Sequence, residues 1–415
     1  MKTFTGWEYL LIDLANHSPF DLDKKTFEDR IAWAGANMPN LQDIADNNEW
    51  KEKPLYIKAL QAIRKTLNGE ETGHLVGFDA VNSGLQIMSA ITGCFSGARA
   101  TGLVDPDRRA DAYTESTDIM QADSGITVDV TRKEIKDAMV PFFYGSKAEP
   151  KAVFGDDTPE LVAFYQAMQK IAPGAVKLLS ACLDSWQSWV LAHNWKLPDG
   201  FTAHVKVMQE RKKKIEVDEL GHSTFEYIYK ENVGEERGVK NAANIIHSID
   251  AYILRTLVRR CTYDKEQATA VRGTIEMELL QRDLGYTNKI SSSHAIRYYV
   301  NQYERSGIAD IVILPHLDPE AITALSSKHL CELCDILHLM ELHEPFEIIT
   351  VHDDFRCHPN NMNHLRMHYR EILAELADSE ILADILSQLY GKEGTYNKLS
   401  NDLSSYIRNS NYSLS

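Results

Sequence analysis

The sequence predicts a mostly helical α+β fold, and three observations carry that prediction. Two short apolar runs, Gly73 to Asp79 and Phe346 to Asp353, have the length of buried strands, and each ends on an aspartate. The chain between them reads mainly as helix, with apolar residues at helical spacing and recognisable N-cap signals. A length of 415 residues at 44% apolar content is enough for a substantial core and for two or three domains.

Taken in order, residues 1 to 70 read as helices: Phe27, Ile31 and Ala34 recur at helical spacing, and Tyr56 to Ile63 places apolar residues among good helix formers. Gly73-His74-Leu75-Val76-Gly77-Phe78-Asp79 breaks that pattern and predicts a buried strand delivering Asp79 at its end. Thr131 is an N-cap for the helix that follows, with Glu134 as its capping-box partner. Residues 159 to 193 predict one or two amphipathic helices interrupted at Pro173-Gly174. Pro198-Asp199-Gly200 is a turn, 201 to 209 alternates as a strand, and 202 to 232 is expected to form a hairpin reaching toward nucleic acid. Phe346 to Asp353 is the second strand, delivering Asp353, and His364 to Leu389 is helical. The Asn/Ser-rich tail from Asn397 is expected on the surface with little core of its own.

Composition narrows the class. No apolar run of membrane-spanning length occurs, and Asp13 interrupts the stretch where a signal peptide needs its apolar segment, so no membrane association and no signal peptide are expected. Six scattered cysteines fit a reducing compartment rather than a disulfide scaffold. Cys331-Glu-Leu-Cys334, near His329 and His338, has metal spacing but reads equally as ordinary helix residues. The net charge of -16 opposes a simple phosphate-binding surface, although charge distribution governs steering more than the sum does. Basic clusters occur at Arg108-Arg109, Arg211 to Lys214 and Arg259-Arg260, and the first two read equally as solvated surface. The acidic total fits either a basic partner that supplies part of a DNA grip or avoidance of indiscriminate binding.

Two strands ending in Asp79 and Asp353 are the frame of a carboxylate metal site, or two unrelated strand ends. Arg132, Lys136, Val140 and Tyr144 fall four apart on one side of a helix, followed by Gly145. Two cations and an aromatic at this spacing suit a nucleoside triphosphate, the cations on phosphate and the ring against base and sugar. The alternative is surface Arg and Lys with a core tyrosine.

Several motifs together resemble the T7-type single-subunit DNA-dependent RNA polymerases. Asp79-Ala80-Val81-Asn82-Ser83-Gly84-Leu85-Gln86 resembles their motif A, Arg132 to Tyr144-Gly145 their motif B with its spacing intact, and Val351-His352-Asp353-Asp354-Phe355 their motif C. Asn244-Ile245-Ile246-His247-Ser248-Ile249-Asp250 is similar to the family's His-Ser-x-Asp element. Leu14-Ala15-Asn16, Leu22-Asp23-Lys24, Phe27 to Ile31 and Pro198-Asp199-Gly200-Phe201 follow the family in the same order. The resemblance implies a right-hand polymerase fold, palm and fingers without a thumb. The expected domains are palm over 1–95, fingers over 96–247, a palm helix over 248–262, an insertion over 263–345, and palm with motif C and tail over 346–415.

The implied reaction is template-directed transfer of ribonucleotides to an RNA 3′ end with release of pyrophosphate, using two Mg²⁺ ions held by Asp79 and Asp353 with the Ala80 carbonyl as a further oxygen. Arg132 and Lys136 would offset triphosphate charge. Lys136 acts either as a proton donor to pyrophosphate or electrostatically alone. Tyr144, Gly145 and His247 would shape the nucleotide pocket and favour a 2′-hydroxyl, since Ser83-Gly84-Leu85-Gln86 lacks the glutamate by which related DNA polymerases crowd that position.

On this resemblance the family's Asp-x-x-Gly-Arg element, thumb and promoter-opening domain are expected to lie outside the chain. That departure resembles the larger, catalytic subunit of the two-chain enzymes of N4-like phages. The implied partners are therefore a smaller subunit supplying the N-terminal region, DNA template, RNA product, NTPs and a phage single-stranded-DNA recruitment factor. The implied location is the cytoplasm of the infected bacterial host. Asp354 stands where the family has a small polar residue and is expected as either a third metal-side carboxylate or an exposed acid. The insertion binds a partner or decorates the palm.

Overall fold

The computed structural model describes residues 1–123, 130–286 and 293–415. The stretch 287–292, part of the expected insertion, lies outside the described residues. The described strands are β1 (Val76–Asp79), β2 (Ala192–Lys196), β3 (Thr202–Lys206), β4 (Gln209–Val217), β5 (Ser223–Glu231), β6 (Ile349–Val351) and β7 (Asp354–Cys357). They form one antiparallel three-stranded sheet in the order β1-β7-β6 and two separate hairpins, β2-β3 and β4-β5; the remaining secondary structure is helical.

The sheet is small because its purpose is local. Val76 and Phe78 point into the core, where Phe78 stacks on Phe27 at 5.4 Å, while Asp79 emerges at the strand end. The β1-β7 register sets Asp79 opposite Asp354. Asp353 itself is not a strand residue: the strand expected over Phe346 to Asp353 shrinks to Ile349–Val351, and His352 and Asp353 form the reversal into β7. A two-residue reversal requires backbone at positive φ, which His352 supplies at +56°. The Ala80 amide then donates to the Asp353 carbonyl at 3.0 Å, so the two aspartate-bearing segments are tied through the backbone.

The helices expected from residues 1 to 70 form, among them Gly6–Asn16 and Phe27–Ala36, each opened by a capping box. Helix Arg132–Phe143 starts on the expected Thr131–Glu134 capping box, and Pro173 opens the second of two helices, Pro159–Ile171 and Pro173–Asp184. The single hairpin expected over 202 to 232 is two: β3 pairs back with β2 around the Pro198-Asp199-Gly200 turn, and β4 pairs with β5. The turn is pinned to helix Lys240–Cys261, whose Arg255 donates to Asp199 through Nε at 2.6 Å.

The tail departs most from expectation. Instead of lying on the surface, it forms helix Leu403–Asn409 and then runs under the sheet, with Tyr412 and Leu414 fully buried and Leu414 bridged to Ala80. Ser415 donates its amide to the Asp79 carbonyl at 3.1 Å, and buried Gln86 donates to the Ser413 carbonyl at 2.9 Å. Gly93 belongs to the same packing: it caps helix Ser83–Thr92 at φ +64°, and a Cβ there would fall 2.1 Å from the Ser400 carbonyl oxygen. Polar composition concealed this because the segment buries few but large apolar groups and pairs its backbone with the segment from Asp79 to Val81.

Residues between 268 and 340 build a hydrophobic cluster of their own, separate from the main core. Cys331 and Cys334 lie on helix Ser327–Glu341 there, while His329 turns inward and stacks on Tyr303 at 3.8 Å. Among the described residues no helix is long and apolar enough to cross a membrane.

Candidate active site

A cavity of about 370 Å³ opens where the end of β1, the β6-β7 reversal and helix Arg132–Phe143 converge. Asp79, Ala80, Asp353, Arg132 and Lys136 all line it. Residues from distant parts of the chain complete its wall, notably Lys24, Arg109 and Tyr113. A second cavity of about 560 Å³ shares Asp23, Asp79 and Arg109 with the first and reaches Trp50, Asp354 and Arg356.

The cations are pre-oriented. Arg132 donates through Nε to Asp111 at 2.7 Å, and both Arg132 and Lys136 lie over the Tyr113 ring, at 5.1 and 5.9 Å from its centroid. Asp111 and Tyr113 did not stand out in the sequence, because a short Asp-x-Tyr ahead of a helix is indistinguishable from a helix start. Behind the wall, buried Arg30 donates to the carbonyls of Asp23 and Lys25 and to Asn16 Oδ1, which holds the 21–25 segment against the cavity. Burial with no carboxylate bonded to it pushes the Arg30 pKa down to about 9.

Tyr144 and His247 come together beside this cavity rather than in its wall: Tyr144 caps the end of helix Arg132–Phe143, and its ring meets the His247 imidazole at 4.8 Å. Gly145 follows at φ +94°. The Tyr144 hydroxyl occupies the space over Gly84, where a Cβ would stand 2.6 Å from it. The glycine is thus required by close approach, and Gly84→Ala must displace the tyrosine. We expect Gly84→Ala to lose about 1–3 kcal/mol in urea denaturation; an unchanged midpoint would show that the tyrosine has room to move.

Carboxylates dominate the electrostatics. Asp79 opens to the cavity, yet its surroundings exclude enough water that burial is the largest factor raising its pKa to about 6, followed by repulsion from Asp354 and Asp353; Arg356 acts the other way. Asp250, one turn beyond His247, is also pushed up to about 6, first by burial and then by Asp353. Tyr144 rises to about 12, by burial first and then by Asp250 and Asp353. Asp354 is not an exposed acid: Arg356 Nε donates to its Oδ2 at 2.7 Å, while among the described residues its Oδ1 is buried without a partner.

A carboxyl whose folded pKa exceeds its unfolded value stabilises the protein fully below the unfolded value and loses that contribution as pH rises through the folded one. For Asp250 the window runs from 3.8 to about 6. Asp250→Asn should therefore raise stability at pH 7 by on the order of 1 kcal/mol, discounted for partial solvation, and leave it unchanged near pH 4. Denaturation at both pH values checks this; equal effects would mean that burial does not raise the Asp250 pKa.

The basic clusters resolve differently. Arg259 pairs with Asp199 and Asp310, and buried Arg260 pairs with Glu375, so both are structural. Arg211 to Lys214 lie on the exposed β4-β5 hairpin. Glu216, Asp218 and His222 at the end of that hairpin form an exposed group whose ligand atoms lie within 4.8 Å of one another, the one such metal-compatible triad among the described residues.

Residues 3–147 match the family model described as DNA-dependent RNA polymerase. The matched span holds Asp79, Ala80, Arg132, Lys136, Tyr144 and Gly145; His247 and Asp353 lie beyond it. No curated protein matches the chain.

Proposed function

We propose that this chain is the catalytic subunit of a DNA-dependent RNA polymerase that adds ribonucleotides from NTPs to an RNA 3′ end. One observation carries the reading: Asp79 and Asp353, from segments far apart in sequence and tied by the Ala80–Asp353 backbone bond, share a cavity whose wall also presents Arg132 and Lys136. The family match over 3–147 supports a nucleotidyltransferase of this kind.

The donor set fits Mg²⁺. Asp79 is repelled by two neighbouring acids, a situation that a divalent cation relieves, and carboxylate and carbonyl oxygens are the ligands it prefers. Two bound Mg²⁺ ions would activate the 3′-hydroxyl and neutralise the triphosphate. Asp79, Asp353 and the Ala80 carbonyl would hold them. In the transfer, a bond forms from the 3′-oxygen to the α-phosphorus and the α–β bridging bond breaks. Pyrophosphate leaves with the electron pair, and the hydroxyl proton passes to solvent. Arg132 and Lys136, held by Asp111 and Tyr113, place positive charge on the phosphates before the reaction, with little reorganisation during it. Tyr144, seated over Gly84 and against His247, would mark the sugar edge and favour a 2′-hydroxyl.

In this reading 1–95 and 346–415 are palm, 96–247 fingers, 248–262 the palm helix and 263–345 an insertion. The β4-β5 hairpin is the surface we assign to nucleic acid, because its register puts Arg211 and Lys213 on one face with Phe225, Tyr227 and Tyr229. The resemblance to the two-chain enzymes of N4-like phages adds a smaller subunit, a single-stranded-DNA factor and the infected host as setting. Primed-template extension with Mg²⁺ and rNTPs or dNTPs, on the chain alone and copurified with the product of its neighbouring gene, tests the reading. Ribonucleotide addition supports it, dependence on the second chain supports the split enzyme, and DNA binding without incorporation in either state refutes it.

A further inference from the structure

We propose that Arg109 is a further anion-holding residue of the cleft and that it receives the departing pyrophosphate; this rests on the polymerase reading above. In sequence Arg108 and Arg109 look like one surface pair, and the fold separates them. Arg108 reaches Glu115 at 2.9 Å, whereas Arg109 turns into the wall common to both cavities. The one hydrogen bond its guanidinium makes among the described residues runs from Nη1 to the neighbouring Ala110 carbonyl at 2.6 Å, and its Nε is buried with no partner. Asp23 and Asp111 are the acids that act on it, but neither lies within ion-pairing range, and Asp111 is already bonded to Arg132.

A half-buried guanidinium whose Nε is buried without a partner gains from a compensating charge, and its planar fork suits phosphate oxygens. Position specifies which phosphate. Arg132 and Lys136 line the first cavity alone, while Arg109 lines both together with Asp23 and Asp79, so it is the cation common to the nucleotide cavity and the second one. Pyrophosphate is the anion that the reaction releases there. Arg109 touches no bond that forms or breaks; it binds the leaving group.

The test is calorimetric titration of the full chain with magnesium pyrophosphate, with no template present. Arg109→Met should weaken binding by about ten-fold or more, the loss of a charge-assisted contact, and Arg109→Lys, which keeps the charge without the fork, by a smaller factor. The lysine variant serves if the methionine variant does not fold. Wild-type affinity in whichever variant folds overturns the proposal. Ribonucleotide extension by the unaltered chain is measured in parallel. If extension occurs and the variants bind normally, Arg109 alone is wrongly assigned. If the variants lose binding and no extension occurs under any condition, the anion site stands and its assignment to polymerase chemistry falls.

Discussion

On the proposed polymerase reading, Asp353→Asn is expected to lower ribonucleotide addition by about three orders of magnitude or more while leaving the protein folded, because it would remove a charged oxygen ligand from the metal site. The structure explains why the fold should survive. Asp353 occupies a hairpin reversal whose geometry depends on His352 backbone and on the Ala80–Asp353 backbone bond, neither of which needs the carboxylate. The carboxylate is instead a burden on its surroundings, raising the pKa of both Asp79 and Asp250. Amide replacement relieves that repulsion, so thermal stability at pH 7 without metal should be equal or higher as activity disappears. Primer extension and a melting curve on one preparation check both halves. Retained activity would remove Asp353 from the reaction, and a large fall in melting temperature would make its role structural.

The largest effect on stability is expected at Arg260. Its side chain is fully buried and makes a two-pronged pair with Glu375, Nη1 to Oε1 at 2.8 Å and Nη2 to Oε2 at 2.6 Å. The pair joins helix Lys240–Cys261, which carries His247 and Asp250, to helix Met362–Asp378, which follows β7. Arg260→Met leaves a carboxylate uncompensated between them, which should cost about 3–5 kcal/mol in urea denaturation. Replacing both partners, with Glu375→Leu added, should recover most of the loss, since the penalty lies in the orphaned charge and not in the absence of the pair. A single-variant loss under about 1 kcal/mol would mean that Glu375 keeps access to water.

What could be read without a structure was local. The capping box at Thr131, the break at Pro173, the strand ending at Asp79 and the turn at Pro198-Asp199-Gly200 depend on contacts within a few residues, and the spacing of Arg132 and Lys136 depends only on helical geometry. Asp79 and Asp353 were both recognisable as ends of apolar runs, and the cavity brings them together with the two cations. Local pattern failed where a neighbour from elsewhere decides the outcome. Asp353 sits in a reversal because β7 must return to pair with β1, and the polar tail is buried because Asp79 and Gln86 offer its backbone partners. Arg108 and Arg109 are equivalent by sequence, and only the position of Glu115 and the two cavities makes one a surface ion pair and the other an inward, under-bonded cation. Residue type and period therefore determined most of the helices, the strand that ends on Asp79 and which groups carry charge. The tertiary structure alone decided which charges are compensated, because compensation depends on distance in space and on excluded water, and neither is written in the order of the residues.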